Sequence, residues 1–306
     1  MQKRKLIGYS ALTVLLAACG SSAPVSSSAP TTTDSTTGVS SSSAASQPPG
    51  CAQIEAKYPQ FKGKTLVDAL TPFTPGYEAS SPTHPGTYVG FDIDLLKNIA
   101  SCLGFSVTYK STAFPALIPT LQSGQANIVI SDIYATPLRA KAVNFVTYEK
   151  VDIGVLTAKG NPKHITGFNT SLCGMSAAEN TGFVEVSLVE AQDAACRAAG
   201  KPIPSVQLYN NNADSIQAVL EGRANVYMDD VNVVDQAASA HPAQLTKAAT
   251  VLLPFSVGIA IPKSATTELN AVFASVKQIQ KDGIESKLLA KWHLNQGSQE
   301  APRIVS

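Results

Sequence analysis

Apolar residues in this chain fall into short runs that alternate with longer stretches of helical period. NIVIS (127–131), IGVLTA (153–158), ANVYM (224–228) and VGIAI (257–261) have the length and composition of buried strands. Between them, DIDLLKNIASCL (92–103) places Ile93, Leu96, Ile99 and Ala100 on one face of a helix. SLVEAQDAACRAA (187–199) and TELNAVFASVKQIQKDG (267–283) carry the same spacing, the latter ending at Gly283. Such alternation predicts α/β layers with mainly parallel strands. A body of about 255 residues is too large for one compact core and suits two lobes.

The first 50 residues break the pattern. Lys3, Arg4 and Lys5 precede an apolar run that closes in Leu16-Ala17-Ala18-Cys19. A charged start, a short apolar run and small residues at its end predict a secretory signal over 1–18, since a spanning helix needs about 20 apolar residues. Cys19 directly after Leu-Ala-Ala resembles the bacterial lipobox, which implies cleavage before Cys19 and a lipid on its sulfur. From there to residue 50 the chain is almost wholly Ser, Thr, Ala, Pro and Gly, with Asp34 the only charge. Such a segment is expected to stay disordered, and a flexible coil of this length reaches about 30 Å. It would tether an extracytoplasmic body to a membrane.

Charge and cysteines narrow the classes. Cleaving the signal removes three of 23 basic side chains against 22 acidic ones, so the mature chain stays near neutral, which gives no support for nucleic-acid binding. Besides Cys19 there are four cysteines, an even number that suggests two disulfides in an exported chain. Three pairings are open; Cys173–Cys196 with Cys51–Cys102 is favoured, because each pair then lies within one predicted lobe. No C-x-x-C occurs and His84, His164, His241 and His293 are scattered, so neither a metal nor another cofactor is expected.

The chemistry concentrates in FPALIPTLQSGQANIVISDIYATPLRAKAVNFVTY (114–148). Thr136-Pro137 opens a helix, with a hydroxyl at the N-cap and proline at the first helical position. Arg139 then projects from the first turn beside free amides. A guanidinium beside unpaired N–H groups is a carboxylate receptor, and the competing interpretation is a surface salt bridge.

This stretch resembles family 3 of the bacterial extracellular solute-binding proteins, the receptors of polar amino acid ABC importers. Three further blocks match in order: GTYVGFDIDLLKNIASCLGF (86–105), AVLEGRANVYMDD (218–230) and SVGIAIPKSATTELNAVFASVKQIQKDGIESKLLAKWHL (256–294). The resemblance implies a two-lobed periplasmic binding protein fold of type II, crossed twice by the chain. Lobe 1 would take 51–153 and 257–306, and lobe 2 residues 154–256, with ligand in the cleft between them. It implies an ABC importer permease as partner, an amino acid or related zwitterion as ligand, and a monomer.

Residue by residue, the resemblance makes Arg139 the carboxylate grip, helped by amides near Asp132 and Tyr134. Asp230 falls where the family pairs an Asp with the ligand ammonium; Asp229 is the runner-up after a one-residue shift. Thr181 and Gly182, in AENTGF (178–183), match a second carboxylate-binding loop, against the alternative of a plain helix N-cap. Phe114 matches a stacking position, and Phe73, Thr74 or Tyr77 lies in the loop supplying the opposite face. Asp132 and Tyr134 depart from the small or hydroxyl residues usual there. An acid beside the grip would repel an anion, or could receive a second cationic group. Two other classes follow on the same fold: an exported cyclohexadienyl (prephenate or arogenate) dehydratase, with Glu179 or Asp132 as proton donor, and a sensory module. The binding protein ranks first.

Overall fold

The computed structural model describes residues 47–306; Cys19, the signal segment and the tether as far as residue 46 lie outside the described residues. Residues 47–50, placed in the tether by composition, pack on the body: Gln278 donates to the Pro49 carbonyl at 3.2 Å, and Gln47 reaches Glu55 at 3.0 Å.

One five-stranded sheet runs in the order Leu245–Val251, Ile153–Ala158, Val226–Asp230, Ser176–Asn180, Ser205–Tyr209. Its first two pairings are antiparallel and its last two parallel. The sheet is therefore more mixed than alternation alone suggests. Ile153–Ala158 enters this lobe from the other without a helix and lies antiparallel to both neighbours, whereas Leu245–Val251 follows helix Val231–Ala240 and so runs parallel to Val226–Asp230 on the far side of it.

The other lobe is built from Thr65–Leu70 parallel to Ser106–Ser111, and from Val257–Pro262, Val143–Glu149 and Ile304–Val305 paired antiparallel. The predicted strand 127–131 joins these halves without forming a regular ladder. Ile128 bridges Asp68 on one side and Val129 bridges Ala260 on the other. The Asp68 carboxylate accepts from the Ile130 amide at 3.0 Å, where a regular neighbour would offer a carbonyl. The chain passes between the sheets at 150–152 and at 252–256.

Helices cover these sheets as their apolar stripes require. Phe91–Leu103 and Thr266–Lys281 pack with Leu95, Leu96, Ile99, Val272 and Val276 fully buried in one core. The stretch 187–199 forms two helices, Val184–Glu190 and Asp193–Ala198, the second opening on an acid that suits a helix N-terminus. Cys51–Cys102 and Cys173–Cys196 are both bonded, with Cα separations of 4.7 and 5.5 Å. Among the described residues no helix is long and apolar enough to cross a membrane.

Candidate functional site

Thr136 caps a single helical turn, Pro137–Ala140, its hydroxyl accepting from the Arg139 amide at 3.2 Å. The sequence signal therefore holds locally, but one turn carries little macrodipole. The Arg139 guanidinium is instead placed by two carbonyls, donating to Tyr134 at 2.9 Å and to Gly182 at 2.9 Å. Tyr134 belongs to its own lobe and Gly182 to the other. Arg139 also lies over the Phe114 ring, 5.3 Å from its centroid, a cation–π arrangement. Burial lowers its pKa to about 10, so it stays charged near neutrality.

Asp230 ends the strand Val226–Asp230 at the N-cap position of helix Val231–Ala240, yet its side chain makes no capping bond. The carboxylate turns to the other lobe and accepts from the Tyr134 hydroxyl. Asp229, its rival in the sequence, is spent within its own lobe: it accepts from the Tyr227 hydroxyl and, at 2.7 Å, from the Asp230 amide. The geometry thus favours Asp230 as the acid facing the seam. Burial pushes Asp230 up to about 6, against the Tyr134 and Asp132 hydrogen bonds that hold it down.

Asp132 reaches the same place from the opposite lobe. Its amide donates to the Asp92 carboxylate at 2.7 Å, and its backbone is left-handed (φ 45°). Burial, then the Asp230 charge, holds Asp132 well above the usual carboxylate range. Asp132 Oδ1 and Asp230 Oδ2 are buried without a hydrogen-bond partner.

The remaining expected residues divide. Phe73 stacks on Phe183 at 6.2 Å, and Phe183 meets Phe114 at 4.4 Å, so three rings close the mouth beside Arg139. Gly182 has φ 84°, and a Cβ there would stand 3.1 Å from Pro115 of the facing lobe, so only glycine allows this approach comfortably. Thr181 does not cap the following helix, whose N-cap is Phe183; its hydroxyl and amide both donate to the Tyr209 carbonyl, at 3.0 and 2.8 Å. Tyr77 is fully buried, its hydroxyl on Glu149 at 3.2 Å and its ring edge-on to Phe91, which makes it a core residue beneath the seam rather than a wall. Thr74 is buried as well.

Sequence reasoning missed Phe183 and Glu185. Phe183 ends the AENTGF stretch, but its partners Phe73 and Phe114 come from the other lobe and leave no local signal. Glu185 sits in the first turn of Val184–Glu190, nearly fully buried, with both oxygens unpartnered; burial raises it and the Arg139 charge opposes that. Glu179 is buried with both oxygens unpartnered and is likewise raised. Despite these acids, no group of three or more His, Cys, Asp or Glu among the described residues could hold a metal ion. A cavity of about 310 Å³ opens beside Arg139, lined by Pro137, Leu138, Gly182, Phe183 and Phe255 among others.

Residues 71–295 match the model of the bacterial extracellular solute-binding proteins, family 3, and the chain belongs to that family. It is 26% identical over 222 residues to the probable ABC transporter arginine-binding protein ArtJ of Chlamydia trachomatis, covering 69% of this chain and 79% of that one. Its fold resembles an ancestral arginine-binding protein bound to arginine, at TM-score 0.68 and 27% identity, over 76% of this chain and 99% of that one. It also resembles the ancestral amino acid-binding protein AncCDT-1, a precursor of cyclohexadienyl dehydratase, at TM-score 0.62 and 28% identity, over 79% and 98% of the two chains. The fold is that of type II periplasmic amino acid-binding proteins.

Proposed function

From membership of that family, we propose that the protein captures an amino acid between its lobes and delivers it to an ABC importer while anchored by lipid at Cys19. One observation supports this most: Arg139 from one lobe and Asp230 from the other meet across a single seam, with Tyr134 between them. A free amino acid needs donors for its carboxylate and an acid for its ammonium. Arg139 supplies the first and Asp230 the second. In the closed structure these groups satisfy one another: Arg139 donates to Gly182, and Tyr134 to Asp230. A zwitterion would take over both contacts, and its differential affinity for the closed lobes would drive closure. Relatives named as arginine-binding proteins support an amino acid as ligand.

Resemblance to the precursor of a dehydratase keeps one enzymatic reading in play. Glu179 or Asp132 would be its proton donor, both being buried and raised in pKa. Titration of ligand-free protein with the common amino acids, followed by assay for consumption of prephenate and arogenate, separates the two. A receptor binds stoichiometrically and turns over nothing; turnover without amino acid binding overturns the receptor. For the anchor, Cys19→Ser should move the protein from the detergent phase to the soluble fraction, and a variant that stays with the detergent excludes lipidation.

A further inference from the structure

We propose that Asp132 is the specificity residue of the cleft, a second carboxylate facing Asp230 that makes the site select ligands of net positive charge. The proposal rests on the amino acid-binding role of the same seam and adds the charge class of its ligand.

Three observations carry it. Asp132 and Asp230 come from opposite lobes, the Asp230 carboxylate accepting from the hydroxyl of Tyr134, two residues from Asp132, while Asp132 Oδ1 and Asp230 Oδ2 are left buried and unpartnered. Both side chains are more than nine-tenths buried, at 7% and 1% exposure. The ion pairs among the described residues, such as Lys291–Asp94 and Lys247–Asp235, lie elsewhere and reach neither acid. Arg139 is the cation that acts on Glu185, whereas the charges acting on Asp132 are all acidic: Asp230, Glu78 and Asp92.

The charge balance follows. A zwitterion's carboxylate uses the Arg139 charge and its ammonium uses Asp230. Asp132 then remains as a buried acid with nothing opposite it. A second positive charge on the ligand supplies the partner that lets Asp132 ionise, a neutral side chain leaves it protonated, and an acidic one adds repulsion. Discrimination is steep because only a cationic ligand gains a desolvated ion pair there.

A purely structural role for Asp132 has one clear basis, its left-handed backbone, which Asp and Asn tolerate best. Its contact to Asp92 is made by the backbone amide and does not need the carboxylate. Asp132→Asn therefore keeps the backbone and removes the charge.

The test is calorimetric titration of the full chain with L-lysine, L-glutamine and L-glutamate, three amino acids of similar length and different charge. The wild type should bind lysine at least tenfold more tightly than glutamine, and glutamate most weakly. In Asp132→Asn the lysine-to-glutamine preference should fall at least tenfold. Parallel weakening of both ligands at an unchanged ratio would mean a structural residue and overturn the proposal. A wild type that favours glutamine or glutamate overturns it without any variant, so a variant that fails to fold does not shield it. If no common amino acid binds, it is the amino acid receptor itself that fails.

Discussion

The lobe cores and the seam between them obey opposite rules. In the cores, Leu95, Leu96, Ile99, Val272 and Val276 are fully buried against one another, and each buried methylene adds to stability. At the seam, Asp132, Glu185 and Asp230 are buried too, with carboxylate oxygens left unpartnered. Burial of that kind costs free energy. The difference teaches where selection for folding ends. The chain stabilises its lobes with apolar packing and two disulfides, and holds unfavourable electrostatics at the seam, where the proposed ligand would supply the missing charge.

The comparison can be broken from either side. The largest effect should come from the core: Leu96→Ala removes a fully buried side chain and should cost about 2–5 kcal/mol in denaturant unfolding. Its ligand affinity, once folded, should stay within a few fold of wild type. A loss of affinity as large as the loss of stability would mean that core and seam are one cooperative unit.

The seam should respond to pH in the other sense. Asp230 sits near pKa 6 in the folded chain, above the value of about 3.9 for a free Asp. The folded form therefore holds more protons than the unfolded one, and stability falls as pH rises through about 6. Between pH 4 and pH 8 the wild type should lose about 2–3 kcal/mol that Asp230→Asn keeps. Unfolding curves at the two pH values measure this; equal losses in both proteins would mean that Asp230 is compensated in the free protein.

A smaller effect is expected at Gly182. Alanine there meets both a left-handed backbone and the close approach of Pro115, costing about 1–2 kcal/mol. Because Pro115 belongs to the facing lobe, the cost should appear partly as weaker ligand binding. Gly182→Ala should raise Kd several fold, and a Kd unchanged by this variant would show that the lobes need not approach so closely.

How much of this was readable in the sequence depends on how local each feature is. The Thr136-Pro137 cap, the strand 153–158 and the helix 92–103 are written in adjacent residues, and the structure has them within a residue or so. The strand 127–131 was legible as apolar but not as irregular, because the Asp68 side chain that interrupts its ladder is some 60 residues away. Ile304–Val305 left no signal at all: two residues become a strand only because Val143–Glu149 offers its edge. At the site, Arg139 and Asp230 stood out through motifs, and Asp132 through its departure from one. Phe183 and Glu185 take their meaning from the opposite lobe, which no local pattern encodes.

The joint grip of Arg139 and Asp230 on one zwitterion is tested most directly by titrating wild type, Arg139→Lys and Asp230→Asn with the same panel of amino acids. Lysine keeps the charge at 139 but loses the two-pronged donor, and asparagine leaves the ligand ammonium without its counter-charge. Each variant should lose about 1.5–3 kcal/mol of binding free energy, the scale of a charged hydrogen bond. Wild-type affinity surviving in both variants would place the ligand elsewhere in the molecule.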